Sequence, residues 1–233
     1  MINKIDEMYN RADLLFKAGR YEEALKIYQE LFSVYKDTLK EDDICTIDAM
    51  YNLSLTLNRL GRYEEALPLA KRVLELTKKI FGDKNKAMLS VLDNLGASYY
   101  MLKHYDEALV IYKQVVDLRE ELVGEDDIGT ICDIDNLAET LKELGRYEEA
   151  LPLCKKIVKF YKKHYGTKEP KTVGYMYELA CTLGELKRYD EASKLFKEIL
   201  PLVKKIYGTK SIWFKGLQEE IERAQIKYSK PKD

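Results

Sequence analysis

Histidine and tryptophan are almost missing from this chain, with two and one copies in 233 residues. His104 and His164 fall in no metal-binding spacing such as HExxH, and the chain has no GxGxxG turn, phosphate loop or serine elbow. No catalytic group, cofactor or metal ion is therefore expected, and the protein reads as a non-enzyme. Net charge is missing too: 39 Lys and Arg stand against 40 Asp and Glu, which leaves no overall field to gather nucleic acid or an anionic membrane. Lys155, Lys156, Lys159, Lys162 and Lys163 form a local basic run, but without interleaved aromatics. No apolar run approaches the roughly 18 residues of a membrane-spanning helix, and Met1–Glu7 lacks the apolar core of a secretory signal. A cytoplasmic location is the expectation. Cys45, Cys132, Cys154 and Cys181 form no CxxC pair, which predicts free, inert thiols.

What the chain does have is repetition. Gly19-Arg20-Tyr21-Glu22-Glu23-Ala24-Leu25 recurs from Gly61, Lys103, Gly145 and Lys187, in steps of 42 residues. Gly82, Gly124, Gly166 and Gly208 keep the same step, with Lys40 at that place in the first copy. Between the markers, apolar residues follow helical spacing, as in Ile47, Met50, Leu53, Leu57 and Leu60. Each copy is read as two helices: one ends at the first marker, and the next begins at the Tyr with two acids that suit its positive end. Basic pairs such as Lys78-Lys79 suit the other end, and the second glycine supplies a left-handed stop. Acid pairs such as Glu64-Glu65 recur at every such start, so they are read as structural. Pro68, Pro152 and Pro201 predict local bending, while Pro170 suits an opening turn.

Ala24, Ala66, Ala108, Ala150 and Ala192 mark the close approach of paired helices, beside Leu53, Leu95, Leu137 and Leu179. The predicted fold is all-α: a right-handed superhelical solenoid of five hairpins over residues 1–43, 44–85, 86–127, 128–169 and 170–210. A capping helix follows at 211–228, striped by Trp213, Leu217, Ile221 and Ala224, then a tail at 229–233.

These markers resemble the tetratricopeptide repeat (TPR) family. The 42-residue step, with Asn136-Leu137-Ala138 and Gly145 to Pro152, resembles its kinesin light chain subtype. No heptad-rich coiled coil accompanies them, so the resemblance implies an isolated scaffold or adaptor. It further implies that the first helix of each hairpin lines a concave face that holds a peptide.

By position, the inward asparagine of the family matches Asn10, Asn52, Asn94 and Asn136, and the fifth repeat departs with Glu178. A carboxamide both donates and accepts, so a ladder of them suits the main chain of a bound segment, although the same groups also satisfy neighbouring helices. Tyr9, Tyr51, Asp93, Asp135, Glu139 and Tyr177 share the predicted face. So do Asp6, Asp13, Asp48, Glu143 and Glu185, against only Lys17 and Arg59 as bases. The expected partner is a protein or peptide segment with Lys or Arg and apolar anchors, although the same acids also serve helix ends and solvation. The expected state is a monomer. Self-association through the tyrosine-rich surface is the competing reading, and a peptide-signal sensor is a third.

Overall fold

The computed structural model describes the backbone of residues 2–228 and the side chains of residues 4–222. The Arg223 and Ala224 side chains and the tail expected at 229–233 lie outside the described residues. Among those described, every regular element is an α-helix, and the chain divides after Gly124 into two compact units. The first holds α1 (Ile2–Lys17), α2 (Tyr21–Thr38), α3 (Ile44–Arg59), α4 (Tyr63–Phe81), α5 (Lys86–Met101) and α6 (Tyr105–Leu122). The second holds α7 (Ile128–Glu143), α8 (Tyr147–His164), α9 (Pro170–Glu185), α10 (Tyr189–Tyr207) and α11 (Ile212–Tyr228). The helix periods read from the sequence are all present.

Two different devices start the helices. First helices open with a side-chain cap: Asp43 accepts from the Cys45 amide at 2.9 Å, Asn85 from Met88 at 3.1 Å, and Asp127 from Gly129 at 2.8 Å. Pro170 takes over in α9, where its missing N–H costs nothing. Second helices have no such cap. There the Arg before the Tyr reaches the second acid of the pair, Arg20 to Glu23 at 2.6 Å, Arg62 to Glu65 at 2.7 Å and Arg146 to Glu149 at 2.6 Å. The recurring acids thus anchor the helix entry, as their periodicity implied.

The turn inside each hairpin closes the same way every time. In the second copy the Gly61 amide donates to Asn58 and the Arg62 amide to Leu57, at 3.1 and 2.9 Å, a Schellman pair that satisfies the last carbonyls. Gly61 takes φ 74° to do so, and Lys103 and Lys187 take φ 61° and 58° at the same place in their copies. The glycines that end the second helices differ from a simple left-handed stop. Gly82 and Gly208 combine φ 76° and 80° with ψ −178° and 164°, a region open essentially to glycine alone. The first copy, lacking glycine there, leaves its helix through an extended Leu39 instead.

Ala24, Ala66, Ala108 and Ala150 are fully buried where paired helices cross. Gly96 is packed more tightly still: a Cβ there would lie 2.8 Å from the Tyr112 ring. α4, α8 and α10 each run on through their proline. In α11, Leu217 and Ile221 are buried, while Trp213 is half-exposed and lies 5.6 Å from the Tyr177 ring centre. Ions also join successive hairpins: Lys79 meets Asp42 at 2.9 Å, and Lys163 meets Asp126 at the same place two copies on. Lys156 and Lys162 of the basic run likewise meet Glu125 and Glu198.

Candidate functional site: the faces of the first helices

In the first unit the side chains expected to greet a ligand are largely bound to each other. Asn52 donates to the Tyr9 hydroxyl at 2.8 Å, which ties α3 to α1. Asn94 is buried, donates to Ser54 at 2.8 Å, and accepts from Asn58 at 2.7 Å. Ser98 completes the network by donating to Asn58 at 2.9 Å. Asn52 and Asn94, two rungs of the expected ladder, thus bond to adjacent helices, the other role that their chemistry allowed. Sequence spacing could not tell that Ser54 and Asn58 of α3 approach Asn94 of α5. Asn10 and Asn136, by contrast, are exposed.

Charge on that face is partly cancelled from behind. Asp93 receives Arg119 of α6 at 3.0 Å, a pairing that a count of first-helix residues could not reveal. Asp48 is different: burial raises its carboxyl above the ordinary range. It sits at the rim of a mostly apolar recess lined also by Ile44, Tyr51, Val73, Phe81 and Val91. Burial raises the Tyr9 and Tyr51 hydroxyl pKa values, so both stay neutral.

The second unit collects acid. Asp135 and Glu139 of α7 and Glu178 of α9 place one carboxylate oxygen each within 4.8 Å of one another. Lys142 is the cation among them, bonded to Glu139 and 3.7 Å from Glu178. Tyr175 donates to Asp135 at 3.0 Å. Burial first, then its acidic neighbours, push Glu178 up to about 7 against the pull of Lys142, and burial also raises Asp135. Crowding of three carboxylates around one ammonium, in a half-buried setting, thus favours the protonated form of Glu178 and Asp135 more than water would. Oxygen donors of this type suit a hard cation, and the Lys142 ammonium beside Glu139 and Glu178 competes with one.

Other candidate groups serve the scaffold. His164 stacks on Phe160 at 4.3 Å and faces Asp126 at 3.0 Å, and His104 stacks on Tyr99. No disulfide joins the four cysteines, and burial raises the thiols of Cys45, Cys154 and Cys181, which suppresses thiolate chemistry. A repeated hydroxyl escaped the sequence reading: Thr56, Ser98, Thr140 and Thr182 each donate to the carbonyl four residues earlier. Its 42-residue step was the available signal. Tyr177 lines a second recess, between α9, α10 and α11.

Solved structures with the same architecture include kinesin-light-chain-type, nearly identical TPR-like repeats from Podosopora anserina, at TM-score 0.75 and 18% identity, covering 89% of this chain and 98% of that one. The apo form of RapI is similar at TM-score 0.73 and 15% identity, over 95% and 81% of the two chains. MamA from Desulfovibrio magneticus RS-1 is similar at 0.64 and 19%, over 88% and 97%. At such identities the likeness concerns the fold. No curated protein sequence matches the chain. No described helix is long and apolar enough to cross a membrane. The tetratricopeptide repeat profile matches residues 5–79, 47–121 and 130–205. With the helix hairpins, the fixed step and the all-α repeat solenoid in agreement, this chain belongs to the tetratricopeptide repeat family.

Proposed function

We propose that this chain is a non-enzymatic scaffold that docks a basic peptide segment of another protein on the face of first helices α7 and α9 in the second unit. One observation carries the reading: three carboxylates converge on that face around a single lysine. Three crowded carboxylates around one ammonium are an unfavourable arrangement alone, and an incoming Lys or Arg relieves it. Within the second unit an apolar contact comes from half-buried Tyr177, and exposed Asn136 offers its carboxamide to the ligand main chain. A monomer in the cytoplasm completes the picture.

The test is fluorescence anisotropy with basic, neutral and acidic peptide libraries at low and high salt, on the wild type and on Glu139→Gln/Glu178→Gln. Basic peptides should bind, weaken with salt, and lose about tenfold in affinity with the double variant. Peptide binding indifferent to both salt and substitution would sink the proposal. Light scattering on the same samples addresses self-association: a dimer unaffected by these substitutions would favour that reading.

A further inference from the structure

The recess between α9, α10 and α11 has a volume of about 460 Å³, within the range of sites that hold small ligands or single side chains. A missing side chain opens it. Gly184 stands where Asn58, Tyr100 and Lys142 stand in the sister first helices. A Cβ at Gly184 would meet nothing within 4 Å, and its φ is not in the positive region. Neither packing nor backbone conformation requires glycine here, and glycine inside a helix is less stable than alanine. What the substitution gains is space, with Ala180 and Ala192 adding little bulk of their own.

The walls of that space are aromatic and its rim is acidic. Tyr177, Tyr189 and Phe196 line it, with the Tyr177 and Phe196 rings 5.7 Å apart and inclined by 51°. Glu185 and Glu220 stand at the edge, and Lys187, the base among the lining residues, is exposed on the turn. Ring faces and carboxylates both attract a cation, and the rings also accept an aliphatic stem.

We propose that this recess seats the side chain of a lysine or arginine from the docked segment, an assignment that rests on the peptide-binding reading above. Its aromatic walls would take the methylene stem, and Glu185 and Glu220 the charged head.

Trp213, the chain's one tryptophan, lies against Tyr177 and provides an optical reporter. Tryptophan emission should be titrated with the N-acetyl amides of arginine, lysine, norleucine and glutamate. The cationic pair should give a saturable change, and norleucine and glutamate should give none. Gly184→Leu, which fills the recess with a better helix former, should weaken the cationic response by about tenfold or more, as should Glu185→Gln/Glu220→Gln. Circular dichroism should confirm that each variant is folded. An equal response to norleucine, or a cationic response that survives both variants, overturns the proposal. Basic peptides that lose affinity with Glu139→Gln/Glu178→Gln but bind Gly184→Leu like wild type would also overturn it, while leaving α7 and α9 as a docking face.

Discussion

The first-helix faces of the two units occupy the same places in the repeat, two copies apart, and are built from different chemistry. Asn58, Asn94 and Ser98 in the first unit correspond to Lys142, Glu178 and Thr182 in the second. The carboxamide bond between Asn58 and Asn94 is replaced by the contact between Lys142 and Glu178. Tyr51 and Leu55 are replaced by Asp135 and Glu139, so acids stand where an aromatic and an aliphatic residue stood. One face bonds its central carboxamides and hydroxyls to each other. The other is half-open, with more acid than its one base can balance. The repeat fixes where side chains meet, and each copy decides whether the meeting is structural or left incomplete.

The sharpest way to break the comparison is Asn94→Leu. The variant leaves Asn58 and Ser54 facing an apolar group in a buried setting, and should lose about 2–3 kcal/mol of stability by urea denaturation. An unchanged midpoint would mean the network contributes nothing. Lys142→Met removes the only base from the acid cluster. It should cost about 2 kcal/mol at pH 8, reduced by the partial exposure of the site, and clearly less at pH 5, where protonation relieves the carboxylates.

Glu178→Gln acts in the opposite direction. Its carboxyl titrates at about 7 when folded, against roughly 4.3 in an unfolded chain, so the folded protein binds more protons between those values. Stability from this group therefore falls as pH rises through that window and is level above it. Because the side chain is 43% exposed, the variant should gain only about 1 kcal/mol at pH 8 and nothing near pH 4, as read from paired melts. The smallest effect is expected from Lys187→Gly, which relieves a positive φ at the last hairpin turn and should gain a few tenths to about 1 kcal/mol.

These contrasts also mark what the sequence could and could not convey. Helix boundaries, turn positions and buried alanines were legible because a 42-residue step repeats every local signal in register. The fate of Asn94 was not, since spacing along α5 says which way a side chain faces but not that Ser54 and Asn58 approach from α3. Asp93 was counted as a groove acid because its cation, Arg119, lies on another helix. The recess beside Gly184 was missed for a related reason: an absent side chain leaves no residue to count.

The hairpin turn has a broader consequence. Two main-chain hydrogen bonds fix its path, and either glycine or lysine can occupy its left-handed position. Copies of the unit can therefore drift apart at these joints without losing phase. Innovation falls instead to the surfaces where neighbouring copies touch, where one exchange in a single copy creates a contact that the others lack.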